Sequence, residues 1–256
     1  MKHSKIVLLA GKGLTTNILY NAINEEFNIE EIILEESVSK KEFLKKRIKN
    51  LGIGKVSGQV LFQVFVVKIL NFFSAKRKKE ILDHYHLNES PLPDQKIISV
   101  KSVNDAECMS ALQKINPGVV VVIGTRIISR QILSSIPAKF INIHAGITPK
   151  YRNVHGAYWA LVNNDVENCG VTVHLVDPGI DTGSIIYQNK ISMTKQDNFV
   201  TYPLLQLAEG IACLKTALRD IAEEKFVLKK GKKESKIWHH PTLWQYMYNR
   251  IVHNKK

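Results

Sequence analysis

Residues 119–123 read Val-Val-Val-Val-Ile, five β-branched residues in a row. Such side chains are stiff in χ1 and fit a pleated backbone. A strand with no polar alternation leaves no face for water, so this run belongs inside a parallel sheet covered by helices on both sides. The rest of the chain is consistent with that constraint. Lys5 to Ala10 is a short apolar run that stops at Gly11, and Ile32–Leu34, Ile97–Val100, Phe140–His144, Gly170–Val176 and Ser184–Ile191 predict further strands. Helical spacing falls between them: through Leu19, Ala22 and Ile23, over 40–86, over Asn104–Ile115, over His155–Val162 and over Val200–Glu224. Repeated β-α-β order predicts an α/β fold with a mostly parallel sheet flanked by helices.

A chain of 256 residues with 45% hydrophobic and 23% charged residues can bury a sizeable core and is neither disordered nor collagen-like. Its net charge of +13 is unevenly placed. Lys40 to Glu80 holds twelve basic and two acidic side chains, and Lys225 to Lys256 nine and one; the remainder has a net charge of −5. A uniformly basic nucleic-acid binder would not be arranged this way, so no nucleic-acid partner is expected. Cys108, Cys169 and Cys213 stand far apart, which argues against a disulfide scaffold or a zinc site and suits a reducing, cytoplasmic compartment. Met1 to Lys5 runs straight into a strand pattern, so no secretory signal is expected.

Two stretches can carry chemistry. Gly11-Lys12-Gly13-Leu14-Thr15-Thr16-Asn17 lies between a strand and a helix. It reads equally as an anion site at a helix N-terminus or as a tight turn with Thr15 or Thr16 as the cap. The second stretch is 118–188. Asn142 and His144 stand two apart at the C-terminal end of a strand, so their side chains share a side, and ligands of open α/β sheets bind at strand C-termini. Asp181 follows in Ile180-Asp181-Thr182-Gly183. An amide, an imidazole and a carboxylate converging there can polarise a carbonyl and move a proton.

Asn142-Ile143-His144 followed by Ile180-Asp181-Thr182-Gly183, with Gly124-Thr125-Arg126-Ile127-Ile128-Ser129 before them, resembles the folate-dependent formyltransferases. The likeness is strongest over 118–188 and extends in layout over about 4–224. It implies a Rossmann-like formyltransferase fold over 1–224, interrupted by a basic and apolar helical insertion at 40–86, with 225–256 as a short basic extension. It also implies transfer of a formyl group from 10-formyltetrahydrofolate to a primary amine, without a metal. Asn142, His144 and Asp181 would be catalytic. Arg126, Ile127, Ile128, Val176, Asp177 and Gly179 would hold the folate. Gly11, Gly13, Thr15, Lys150 and His155 would meet the acceptor. Where the family often has Ser-Leu-Leu-Pro after the histidine, this chain has Gly146-Ile147-Thr148-Pro149, so the loop path is expected to persist while the acceptor contacts differ. The resemblance of His155-Gly156-Ala157-Tyr158-Trp159 to members acting on amino sugars favours a nucleotide-linked amino sugar for polysaccharide synthesis; glycinamide ribonucleotide is the alternative acceptor. The 30 or so residues after the closing helix are too few for the β-barrel domain of methionyl-tRNA formyltransferases.

The insertion admits readings of another class. Lys40–Lys49 is basic, Val56–Phe73 is apolar but broken by Gln59, Gln63, Lys68 and Asn71, and Lys76-Arg77-Lys78-Lys79 closes it. Those polar residues argue against a membrane-spanning helix. The stretch suits either a helix packed on the sheet or in a homodimer interface, or a peripheral membrane contact through 40–80. A basic membrane- or nucleic-acid-binding module without catalysis is the non-enzyme alternative, and the Asn142, His144 and Asp181 set argues against it.

Overall fold

The computed structural model describes residues 5–231 and 234–255. Met1 to Ser4, ahead of the first strand, and Lys232, Lys233 and Lys256 of the basic extension lie outside the described residues. In chain order the elements are β1 (Ile6–Gly11), α1 (Leu14–Asn24), β2 (Ile29–Glu35), α2 (Lys40–Leu51), α3 (Ile53–Leu61), a π-helical stretch (Phe62–Val67), α4 (Lys68–Phe73), α5 (Ala75–His84), β3 (Ile97–Val100), α6 (Ala106–Ile115) and β4 (Val119–Ile123). There follow α7 (Arg130–Leu133), β5 (Lys139–His144), β6 (Arg152–Asn153), α8 (Gly156–Val162), β7 (Gly170–Leu175), β8 (Ile185–Lys190), α9 (Tyr202–Ala222), β9 (Ile237–Trp238) and α10 (Leu243–Val252).

One seven-stranded sheet runs in the order β3-β2-β1-β4-β5-β7-β8. The first five strands are parallel, whereas β7 pairs antiparallel with both β5 and β8. The Val-Val-Val-Val-Ile run is β4, in the middle and buried along its whole length. Its alternate side chains supply opposite faces, Val119, Val121 and Ile123 to the core under α1 and α9 and Val120 and Val122 to the core under α6. The three free cysteines are buried, and burial pushes their thiols up to about 11 or 12, where a thiol is inert.

Helix ends follow local chemistry with one correction. Asp105 caps α6 by accepting from the Cys108 N–H at 2.9 Å, and Thr242 and Gln245 close a capping box on α10. Helix α1 has no side-chain cap: the Thr16 hydroxyl donates back to the Gly11 carbonyl at 2.6 Å and Thr15 is exposed.

The insertion is helical with breaks that periodicity does not reveal. Gly52, at φ 81°, separates α2 from α3, and Ser74 bends the chain between α4 and α5. Phe62 is fully buried in a third cluster, 4.8 Å from the Phe199 ring and 5.0 Å from Tyr246. Arg77 clamps the buried Asp197 carboxylate through Nε at 2.9 Å and Nη2 at 3.0 Å. The C-terminal extension packs on the same cluster. β9 pairs with β6, Trp238 stacks on Trp159 at 4.9 Å, and Gln59 of α3 donates to the His240 carbonyl at 2.7 Å.

His155 and His240 meet in this region, Nε2 to Nδ1 at 2.9 Å. Burial holds both rings below the usual imidazole range, His155 to about 3 and His240 to about 4. The unfolded chain takes up protons below about pH 6.5, and the folded chain takes them up only near the lower values, so stability present above pH 6.5 is lost as pH falls between the two. The urea midpoint is therefore expected to drop between about pH 6.5 and pH 4, and the H155Q/H240Q double variant to show a shallower drop. Equal pH slopes in the two proteins would show that the pair does not carry the effect.

Candidate functional site

Strand β5 ends at the point where the sheet changes from parallel to antiparallel pairing, and this places the site. In the β5–β7 register Asn142 faces His174 and His144 faces Thr172. The Asn142 amide accordingly donates to His174 Nε2 at 3.2 Å, while His174 Nδ1–H donates to the Leu175 carbonyl at 2.7 Å. The turn after β7 brings back Asp181, held at φ 50°, a conformation a non-glycine residue rarely adopts. Its preceding loop is tied by Asp177, whose Oδ1 accepts from the Gly179 N–H at 3.1 Å and the Thr182 hydroxyl at 2.6 Å.

Four groups surround the Asp181 carboxylate. Oδ1 accepts from the Asn142 amide at 3.4 Å and lies 3.6 Å from His174 Nε2. Oδ2 accepts from the Asn153 N–H at 2.9 Å and stands 3.2 Å from His144 Nδ1. Burial pushes this carboxyl up, but the charge that the His174 and His144 rings carry when protonated, with the Asn153 N–H, outweighs it and holds the group below the ordinary carboxylate range. His144 is buried, and burial drives its imidazole below the usual value against the opposing pull of Asp181 and the Tyr151 carbonyl.

The His144 ring has an acceptor at each nitrogen. Nε2–H donates to the Tyr151 carbonyl at 2.7 Å, and Nδ1 faces Asp181. A neutral ring spends its single proton on Tyr151, so an unprotonated Nδ1 looks at a carboxylate, and one more proton would bond the pair. The dyad is thus built to accept a proton. Both nitrogens being occupied also means that His144 has no spare N–H for a substrate oxygen in this arrangement. Gly146 makes the Tyr151 contact feasible, because a Cβ there would run into the Tyr151 oxygen and sit 2.8 Å from His144 Nε2.

Asn142, His144 and Asp181 open onto a cleft of about 390 Å³. All six residues expected at the folate line the same cleft: Arg126, Ile127, Ile128, Val176, Asp177 and Gly179. Ile128 is also core, whereas Ile127 is exposed. Arg126 does not reach outward. Its guanidinium pairs with buried Glu35 at 3.1 Å and donates to the Lys101 and Glu36 carbonyls, so it braces the loop after β4. The walls suit a flat heteroaromatic ring, with aliphatic faces and backbone polar groups at the edge.

The residues expected at the acceptor divide. A second cleft of about 960 Å³ shares Gly124 to Ile127, Asn153 and Val154 with the first, and Gly11 and Lys12 line it. Gly13 and Thr15 line neither. Lys150 is corrected: its ammonium is captured by Asp165 at 2.8 Å and Glu234 at 3.2 Å, in a separate surface recess. His155 is corrected too, since it lines neither cleft and hydrogen-bonds to His240, which forms the wall in its place. Periodicity and motif did not point to Phe43, Lys46 and Arg47 of α2, or His239 and His240 of the extension, as lining this cleft; the clustering of charge in those two segments was the available signal. His174, which motif and spacing did not single out, lines the same cleft as Asn142, His144 and Asp181. Among the described residues no group of three or more histidine, cysteine or acidic side chains could hold a metal.

Comparison with known proteins agrees with this layout. A protein of Finegoldia magna named methionyl-tRNA formyltransferase is 37% identical over 101 residues, which cover 39% of this chain and 32% of that protein. The chain spans less than half the length of the first curated relatives it matches. Among solved structures, phosphoribosylglycinamide formyltransferase from Anaplasma phagocytophilum superposes with a TM-score of 0.57 at 17% identity, covering 92% of this chain and 98% of the other. The N-formyltransferase from Helicobacter canadensis, solved with folinic acid and dTDP-3-aminofucose, gives 0.53 at 17% identity over 91% and 70%. At these identities the superpositions show a common fold. The family model for formyl transferases matches residues 41–204, more than half the chain, and the chain belongs to that family.

Proposed function

We propose that this chain transfers the formyl group of 10-formyltetrahydrofolate to the primary amine of a nucleotide-linked amino sugar. The catalytic body would be residues 1–224 with the 40–86 insertion, and 225–256 would extend it. The observation that carries the reaction type is the convergence of Asn142, His144 and Asp181 at one cleft, where burial holds the imidazole below its usual range and the carboxyl is held below its own.

The folate would lie between Ile127, Ile128 and the Val176–Gly179 loop, and supplies the formyl carbon. Asn142 would give an amide N–H to the formyl oxygen as negative charge builds there, exchanging its long contact to Asp181 for a shorter one. The His144–Asp181 pair would accept the proton released by the attacking amine and pass it to the folate nitrogen as the bond from that nitrogen to the formyl carbon breaks, leaving the formamide and tetrahydrofolate. His174 would hold Asn142 in place through Nε2.

Support for the acceptor class comes from the larger cleft. Lys12, Lys46, Arg47, His239 and His240 approach it from three segments far apart in sequence, and Phe43 and Leu51 add apolar wall. Glu35, Glu36 and Glu42 also line it, Glu35 already paired with Arg126, so the basic groups of Lys12, Lys46 and Arg47 are the ones that would meet a phosphate-bearing acceptor. Glycinamide ribonucleotide is the second reading, favoured by the shared fold over 98% of the length of the Anaplasma phagocytophilum enzyme. Methionyl-tRNA is a third, favoured by the names of the curated relatives. A panel of amine acceptors assayed with 10-formyltetrahydrofolate decides among them. Turnover of nucleotide-linked amino sugars is expected, and exclusive use of glycinamide ribonucleotide or of methionyl-tRNA would overturn the sugar reading.

Removing one oxyanion donor costs about 10²–10³ in kcat, so Asn142→Ala should lose about that factor while folding normally. Asp181→Ala and His144→Ala should each lose about 10²–10⁴. Wild-type turnover by a folded His144→Ala protein would sink the assignment.

The pH profile gives a separate check. The active form has His144 unprotonated, and burial lowers its pKa, so the acid limb of kcat/KM should lie below about pH 6.5. The Asp181 charge supports the imidazolium, so the residual activity of Asp181→Asn should show an acid limb at still lower pH. A limb that moves upward would contradict the roles given to this pair.

A further inference from the structure

The insertion holds large apolar side chains in water on a strongly cationic part of the molecule. Over Ile53–Phe73, Val56, Gln59 and Phe62 are buried against the body, while Phe65 and Ile69 are each 55% exposed and Phe72 and Phe73 78% and 79%. The last two rings meet edge to face at 5.3 Å. Helix α10 packs beside α3 and the π-helical stretch and itself exposes Trp244 and Ile251. Soluble proteins rarely leave so many large apolar groups together without a use for them.

Three occupants are conceivable for such a face. Residues 53–73 form a helix long enough to cross a bilayer, with mean hydropathy 1.6. Crossing would tear Phe62 out of its aromatic cluster and break the Gln59 bonds to Arg47 and to the His240 carbonyl. The helix is pinned along one side and can present only its other side. A second copy is disfavoured by charge. Lys40 to Glu80 carries twelve basic and two acidic residues, and a two-fold contact would press that surface against itself. Lys76 and Lys79, immediately past the phenylalanines, are exposed and make no ion pair among the described residues. A surface that is both apolar and anionic satisfies both halves of the patch, and an anionic bilayer is one.

We propose that Phe65, Ile69, Phe72 and Phe73 seat this chain on an anionic membrane surface, with Lys76 and Lys79 against the headgroups. The patch is built from residues outside the catalytic set, so the proposal holds or fails independently of formyl transfer.

Co-sedimentation of the full chain with vesicles tests it. At low salt the protein should pellet with phosphatidylcholine vesicles containing one-third phosphatidylglycerol and stay in solution with phosphatidylcholine alone. Ionic strength near 1 M, where the Debye length is about 3 Å, should release it. F72S/F73S should lower the partition coefficient about tenfold or more, and K76Q/K79Q about fivefold per charge removed. The proposal is overturned if the protein ignores anionic vesicles at low salt. It is also overturned if F72S/F73S binds as well as wild type, or if sedimentation equilibrium shows a dimer that F72S/F73S dissociates.

Discussion

The site depends on keeping one half-buried carboxylate ionised. Desolvation alone would push the Asp181 carboxyl up. It stays charged because N–H donors from separate parts of the fold reach it, the Asn142 amide from β5 and the Asn153 N–H from β6, while the His144 and His174 rings of β5 and β7 stand against it and favour the anion when they carry a proton. Asn142 and His174 can meet only because β7 runs antiparallel to β5 and puts them opposite one another. Had β7 continued the parallel pattern, the Asp181 loop would emerge at the far edge of the sheet. The left-handed backbone at Asp181 is the local cost of turning the carboxylate inward, and the Asp177 turn beside it holds that conformation.

The sheet was legible because its signal is dense. A run such as Val119–Ile123 has few alternatives, and Asn142 and His144 two apart on a strand had to share a side. Asp181 was legible only through the family likeness, since no periodicity links residue 144 to residue 181. The errors concern partners remote in sequence. Lys150 looks like a substrate contact until Asp165 and Glu234 are seen to capture it. His155 is read as facing the ligand until His240, 85 residues on, is found in front of it. Thr15 and Thr16 have the composition of a cap, yet a bond from Thr16 to Gly11 was available and took the hydroxyl.

The charge arithmetic changes meaning in three dimensions. The two basic segments, 40–80 and 225–256, are almost 150 residues apart in the chain, yet they meet in the structure. Gln59 and Gln63 reach His240, Phe62 packs on Tyr246, and α10 lies along α3. One cationic region therefore replaces two. Like charges gathered this way repel, and what holds them is apolar: the cluster of Phe62, Tyr158, Phe199 and Tyr246 that both segments share. Burial of aromatic rings, each worth about 1.5–3 kcal/mol, outweighs repulsion between lysines that keep their ammonium groups in water.

The insertion also faces two ways. Phe43, Lys46 and Arg47 of α2 line the larger cleft, whereas Phe65, Ile69, Phe72 and Phe73 look outward, and Gly52 is the break between the two halves. Arg47 ties them together by donating to Gln59 at 2.5 Å. A force on the outward face therefore reaches the cleft wall through a short covalent and hydrogen-bonded path, with no need for the sheet to move. Seating the apolar edge on a surface would fix α3 and α4. Through Gln59 and Arg47 this would narrow the range of positions open to α2, which walls the larger cleft.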